Sequence, residues 1–379
     1  MGGRVFRNGR IVTSSGILEN GAVEVCDGRI VNVQCSEAAE RSRSEIIDLE
    51  GDYLLPGFVD VQVNGGDGVL FNDEPSAATA IKIAKAHRAF GTTRLLPTLI
   101  SDDLDKVEQA VLAIDAAVER GTPGIAGVHI EGPFLNVEKR GIHDARKLRR
   151  LSDEAVAILT SAKHAQVVVT LAPECAYLDQ ISQLVERGVK VCIGHTQATY
   201  DETLNALDSG ASGFTHLFNA MPSMLSRSPG VVAAALESSA WCGVIIDGKH
   251  VHPAMLRLAH RAKTDKKLML VTDAMPVVGA DADHFYLGDQ RIRFVEGACL
   301  SEDGTLAGAA LSMIQALRNA MAMLDLGIEE ASRMASHMPC SFLGIDSEVG
   351  AIAPGHVADL LRVSSEFEIR QVWMGGIEA

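Results

Sequence analysis

Glu131, His195, His216 and Asp273 each close a short apolar run, in GVHIE, KVCIGH, GFTH and LMLVTD. One carboxylate with two imidazoles is a ligand set used by catalytic zinc, in which a further position stays open for water. A second carboxylate beside such a centre is suited to proton transfer, so the four together point to metal-assisted hydrolysis. An earlier run of the same kind, VDVQVNG, ends near Gln62 and Asn64. Any one of these residues alone reads as an ordinary loop residue. Five separate runs ending in metal-competent or hydrogen-bonding side chains are not expected of loops. His129 lies two residues before Glu131 and so shares its face of a strand, one layer deeper, where it reads as a support for the site.

Residues so far apart in sequence meet only if the fold gathers strand ends. From position 53 the chain repeats strand, loop and helix. Compact apolar runs fall at 54–63, 92–97, 125–131, 167–172, 189–195, 212–216, 242–247 and 268–273. Helical periodicity marks 77–90, 102–119, 153–163, 177–187, 199–207, 230–238, 253–262 and 309–324. Alternation of this kind implies parallel strands with crossovers. Eight units over about 290 residues match a closed (β/α)8 barrel, whose chemistry sits at the C-terminal ends of its strands. An open doubly wound sheet would carry GxGxxG after its first strand, and that motif is missing here.

The fold class expected is therefore α/β: a TIM-like (β/α)8 barrel over 54–345, with a small discontinuous β-sandwich domain from 1–53 and 346–379. In the first segment Asn-Gly and Asp-Gly dipeptides read as hairpin turns. Between the eighth strand and the last helix, about 275–308 reads as a hairpin and loop above the barrel mouth, a lid.

Composition narrows the function class. The 379 residues are 47% hydrophobic and 22% charged, as in a soluble protein with a sizeable core. A net charge of −15 argues against nucleic-acid binding, which needs a basic face. It also gives no long-range attraction for an anionic substrate, so any phosphate must be held by local groups. No run is long enough to span a membrane and the N-terminus lacks an apolar signal core. Seven scattered cysteines without a CxxC pair read as free thiols in a reducing cytoplasm.

The motifs LLPGFVDVQVNG, GVHIEGPFLN, KRGIHD, CIGHT, FTHLFNAMP, IIDGKHV, LVTDAM and LAGAALSM occur in the order and spacing of N-acetylglucosamine-6-phosphate deacetylases. The closing GAIAPGHVADLL is shared more widely in the amidohydrolase superfamily. The chain resembles that deacetylase family over nearly its whole length. The resemblance implies hydrolysis of the acetamide of N-acetyl-D-glucosamine 6-phosphate to glucosamine 6-phosphate and acetate. It implies Glu131, His195 and His216 as metal ligands, Asp273 as acid–base and His143 as the group polarising the acetyl oxygen. Ile142, Asn219, Ala220, Arg227, His250 and Leu306 match the substrate contacts, with Ala307 and Gly308 beside Leu306 in the lid. Arg227 in this family reaches the neighbouring subunit's site, which implies a homodimer. Ser228-Pro229 reads as an N-cap and first helical residue, placing Arg227 beside a helix N-terminus.

Many amidohydrolases carry His-x-His in the first strand as part of a second metal position. Gln62 and Asn64 stand there instead and are poor zinc ligands, so one divalent ion per subunit is expected. Zinc suits the donors best; iron, cobalt or manganese fit the same set. VVVTLAPE lacks the lysine by which dihydroorotases and hydantoinases bridge two metals. Two alternatives stay open. One is an amidohydrolase acting on a cyclic amide or an aminopurine, recognisable by ring opening or ammonia release. The other is a non-catalytic barrel serving in assembly, which would lose the ligands that this chain keeps.

Overall fold

The computed structural model describes residues 3–35 and 44–379. Eight parallel strands form one sheet in chain order: β1 Phe58–Val63, β2 Thr92–Ile100, β3 Gly127–Glu131, β4 Gln166–Leu171, β5 Lys190–Ile193, β6 Gly213–Phe214, β7 Trp241–Val244 and β8 Leu268–Leu270. The sheet closes where the chain beyond β8 meets β1. Asp273 N–H donates to the Gln62 carbonyl at 2.9 Å, and Val63 bridges Ala274 in parallel. The barrel expectation holds.

Each strand is buried on both faces, as the continuous Val/Ile/Leu runs require of a parallel sheet covered by helices. The covering helices include Ala77–Arg88, Leu104–Glu119 and Met313–Leu324. Ser76 and Ser152 accept from the backbone N–H three residues on and so start their helices. Two further helices, Ile328–Ala335 and His337–Leu343, extend the helical layer before the chain returns to β structure.

The single run at 54–63 is two strands. Tyr53–Pro56 pairs with the terminal strands Arg4–Thr13 and Leu360–Val363, whereas β1 begins at Phe58. Gly57 separates them, and a side chain there would collide with Thr93 at 2.2 Å. The second run also continues past Pro97 to Ile100. Pro97 is tolerated because the β1–β2 register is irregular between Asp60 and Val63, next to the pair Val63–Pro97.

Strands from both ends of the chain share one mixed sheet, in the order Ile377–Glu378, Ile369–Met374, Leu360–Val363, Tyr53–Pro56, Arg4–Thr13, Gly16–Cys26, Arg29–Cys35. Its own apolar cluster includes Phe6, Ile11, Leu54, Leu360 and Trp373. The two Asn-Gly dipeptides here are not turns. Asn8-Gly9 and Asn20-Gly21 lie inside strands, with Asn8 and Asn20 left-handed and the register shifted beside Gly9. The dipeptide serves as a bulge because Gly9 packs on Leu49 and Gly21 on Ile11, with no room for a side chain. Asp27-Gly28, both left-handed, is the true hairpin turn.

The insertion after β8 is a four-stranded antiparallel sheet, His284–Leu287, Gln290–Val295, Ala298–Leu300 and Leu306–Ala309. It is larger than the hairpin and loop expected. Phe285, Ile292, Cys299 and Ala307 pack on Met275 and Val277 below it.

Candidate metal centre and active site

Glu131 ends β3, and His195 and His216 follow β5 and β6. Their side chains converge. Glu131 Oε1 lies 3.0 Å from His195 Nε2 and 3.0 Å from His216 Nε2, and the two Nε2 atoms are 3.0 Å apart. All three residues are at least 95% buried. Among the described residues they are the one group of three or more His, Cys, Asp or Glu side chains arranged to hold a metal ion.

The donor chemistry fits a cation. His195 Nδ1 contacts the Lys139 carbonyl at 2.8 Å. A carbonyl only accepts, so Nδ1 carries the proton and a neutral ring presents the Nε2 lone pair to Glu131 Oε1. Two lone pairs at 3.0 Å repel unless a positive centre lies between them. Without an ion a proton on Nε2 can take that place, and imidazole N–H donors of this kind, against the effect of burial, hold the Glu131 carboxyl well below the usual carboxylate range.

Asp273 faces this group from the β8 end. Its Oδ1 accepts from Asn64 Nδ2 at 2.6 Å and from Gln62 Nε2 at 3.2 Å, and Gln62 Nε2 also donates to Glu131 Oε2 at 3.1 Å. Gln62 is thus a hydrogen-bond bridge between the two carboxylates and Asn64 a second donor to Asp273, whose Oδ2 takes part in neither bond. Burial, then the charge of Glu131, pushes the Asp273 carboxyl up to about 6. His195, His216 and Asp273 all adopt left-handed φ, of 49°, 29° and 50°. Such backbone costs on the order of 1–3 kcal/mol per residue and persists only where its surroundings over-determine it.

His143 lies 4.6 Å from His195 between ring centroids. Its Nδ1 accepts the Ser101 backbone N–H at 3.3 Å and lies 2.7 Å from Ser101 Oγ. Nδ1 is therefore the acceptor and Nε2–H the donor. Burial, the main cause, drives the ring's pKa down to about 3, so the ring is a neutral donor.

A cavity of about 290 Å³ joins these groups. Asn64, Glu131, His143, His195, His216 and Asp273 form its floor, and Ile142, Asn219, Ala220, His250, Leu306 and Gly308 line its walls. Asp247 grips His250: it accepts the residue's backbone N–H at 2.8 Å and its Nδ1–H at 2.6 Å, which in the neutral ring leaves Nε2 as an acceptor. Asn219 spends its amide hydrogens on the His216 and Leu217 carbonyls, and its oxygen stays available. Ala307, beside Leu306, is buried under the lid rather than in the wall.

Arg227 is exposed and does not line the cavity of its own chain. The reading of Ser228 as an N-cap is corrected. The helix runs Gly230–Glu237, Pro229 already has helical dihedrals and no side chain caps it. Gly230 at φ 66° breaks the first turn, so Ser228 instead pairs its backbone with Leu225 across a short turn.

His129 is buried, with Nε2 2.8 Å from Thr170 Oγ1, two residues before Glu131 on the same strand. Sequence reasoning missed Asp60, Ser101 and Glu174. Asp60 sits two residues before Gln62, the spacing that places both on one face. Ser101 and Glu174 follow the ends of β2 and β4, the strand ends that carry none of the residues picked out beforehand.

Asp60 accepts from Thr272 Oγ1 at 2.5 Å and from Gln62 N–H at 3.2 Å, across the barrel seam. Burial, only partly offset by these bonds, pushes its carboxyl up from 3.8 to about 7. A folded-state pKa above the unfolded one means stability present at low pH is lost as pH rises through about 7. Metal-free wild type should therefore lose melting temperature between pH 5 and 8 relative to Asp60→Asn. Parallel melting curves across that window would refute the assignment.

The sequence profile of the amidohydrolase family matches residues 53–377. The chain belongs to the amidohydrolase family. This amidohydrolase is 39% identical over 370 residues to an N-acetylgalactosamine-6-phosphate deacetylase of Shewanella sp., with 97% of this chain and 93% of the relative covered. It is 32% identical to an N-acetylglucosamine-6-phosphate deacetylase of Haemophilus influenzae, covering 95% and 94%. A crystal structure of N-acetylglucosamine-6-phosphate deacetylase from Pasteurella multocida superposes with a TM-score of 0.96 at 34% identity, covering 100% and 99%. Among the described residues no helix of the amidohydrolase is long and apolar enough to cross a membrane.

Proposed function

We propose that this amidohydrolase removes the acetyl group of an N-acetylhexosamine 6-phosphate, converting N-acetyl-D-glucosamine 6-phosphate to D-glucosamine 6-phosphate and acetate. The observation that carries the reading is the meeting of Glu131, His195 and His216 at one point, with Asp273 and His143 in the same cavity. Its volume of about 290 Å³ is at the low end of ligand pockets, roughly 300–1,000 Å³. That size suits one sugar phosphate better than a polymer.

Glu131, His195 and His216 would hold one divalent ion, with zinc the best match to one carboxylate and two imidazoles. Such an ion, when bound, polarises the amide carbonyl and makes water a better nucleophile at neutral pH. Asp273 Oδ2 takes the proton from the attacking water and returns it to the departing nitrogen, which must leave as an amine. Asn64 and Gln62 hold Oδ1 and fix the carboxylate's angle. His143 Nε2–H donates to the acetyl oxygen as negative charge grows there. Asn219 and His250, with acceptors facing the cavity, take sugar hydroxyls, while Ile142 and Leu306 cover the ring.

Arg227, exposed and outside its own chain's cavity, serves the phosphate of the neighbouring subunit in a homodimer. Seven free thiols suit a reducing cytoplasm.

The test is acetate release from the glucosamine and galactosamine 6-phosphate epimers and from unphosphorylated N-acetylglucosamine, with metal counted per chain. Both epimers belong in it because relatives of each name are similar to this chain. Equal turnover of phosphorylated and unphosphorylated sugar would remove the phosphate assignments, and two firmly held ions would overturn the reading of Gln62 and Asn64. His143→Ala should lower kcat by about 10²–10³-fold, the usual loss for one oxyanion donor, with KM little changed. An unchanged kcat would take His143 out of the reaction.

A further inference from the structure

We infer that Glu174, which stands just beyond β4 and touches neither the cavity nor the metal ligands, is a positioning residue that sets the His195 imidazole for metal binding. The inference rests on the metal-site reading above.

Both carboxylate oxygens of Glu174 are engaged, and every partner belongs to a loop that holds His195. Oε2 accepts from Thr196 Oγ1 at 2.6 Å, and Oε1 accepts from the Gln197 backbone N–H at 2.7 Å. These are the two residues that follow His195. Oε1 also accepts from Asn136 Nδ2 at 2.8 Å. Asn136 lies in the loop after β3, and its own backbone N–H donates to the His195 carbonyl at 3.0 Å. The Asn136 side-chain oxygen accepts the Glu138 N–H at 2.9 Å and starts the 3₁₀ turn Val137–Lys139. That turn ends at the Lys139 carbonyl, the acceptor of His195 Nδ1–H.

Glu174 thus reaches His195 by two arms. One arm fixes the backbone through Thr196 and Gln197 and holds the left-handed φ of 49°. The other arm fixes the ring through Asn136, the 3₁₀ turn and the Lys139 carbonyl. The first sets where the imidazole starts, and the second sets its rotation and tautomer. A strained backbone that must present one lone pair to a shared point needs both. A carboxylate is the side chain able to accept three hydrogen bonds from two loops at once. An amide at this position keeps an oxygen for Asn136 and Gln197. Thr196 Oγ1 already accepts the Ala198 N–H at 2.9 Å and can accept a second donor.

The experiment measures affinity for Zn²⁺ alone by chelator competition, without substrate, beside the thermal melt of the metal-free protein. Glu174→Ala should weaken Zn²⁺ binding about 10–100-fold, the usual effect of losing an outer partner of a ligating histidine, while its metal-free melt stays near wild type. Glu174→Gln should bind within a few-fold of wild type. Wild-type affinity in Glu174→Ala would overturn the inference, as would a fall in the metal-free melt with no change in affinity. Should Glu174→Ala not fold, Asn136→Ala removes only the ring arm. A several-fold weaker affinity there supports the inference, and an unchanged affinity overturns it. A wild-type chain that binds no divalent ion would instead sink the metal-site reading itself.

Discussion

Asp273→Asn should keep one metal ion per chain and lose about 10²–10⁴-fold in kcat, the range general acid–base catalysis supplies. The substitution is close to isosteric. Asn can still accept at Oδ1 from Asn64 and Gln62, whose bonds to Asp273 are 2.6 and 3.2 Å, so geometry is kept and only the proton acceptor is removed. A pH profile gives a second reading. The Asp273 carboxyl, pushed up to about 6 chiefly by burial, must be ionised to accept a proton, so wild-type kcat/KM falls on the acid side. A bound cation beside it favours the charged form and moves that limb below pH 6. The residual activity of the Asn variant should show no such limb. A variant with near-normal kcat, or one that keeps the acid limb, would remove Asp273 as the base.

The other large effect is expected of His216→Ala. Glu131 Oε1 is shared between two imidazoles at 3.0 Å each, and the substitution leaves one carboxylate and one ring. Metal affinity should fall well beyond the roughly 10–100-fold cost of losing an outer hydrogen-bond partner, and acetate release should drop to background. Metal analysis after dialysis against a chelator checks this directly. One equivalent retained by the variant would mean that His216 is not a ligand.

The barrel and the centre of the site were legible because their signals are local and repeated. Eight apolar runs with helical stretches between them admit few arrangements, and ligands placed where runs stop need only the general geometry of barrels. Glu131, His195, His216 and Asp273 are candidates on that ground and His143 on resemblance to a family motif, and the fold brings all five to one cavity. What sequence hid were residues that act through others. Ser101 and Glu174 have ordinary types in ordinary loops, and only the fold shows that one sets the His143 tautomer and the other grips the turn after His195. Asp60 sits in the middle of a strand, and its pairing with Thr272 across the seam depends on barrel closure. Asn-Gly was misread for a related reason. The same left-handed pair makes a hairpin turn or a bulge, and the choice between them at Asn8-Gly9 is made by Leu49, distant in sequence.

The insert above the barrel mouth ends in the strand Leu306–Ala309, where Ala309 N–H donates to the Asp273 carbonyl at 2.8 Å and Met275 N–H donates to the Ala309 carbonyl at 2.9 Å. A side chain at Gly308 would collide with Met275 and the Asp273 carbonyl, so the two segments lie in direct contact. The innermost strand of the insert is thereby stitched to Asp273, the residue proposed to carry the proton. With both backbone bonds made, the stretch of cavity wall formed by Leu306 and Gly308 is registered directly to Asp273 rather than to the outer three strands.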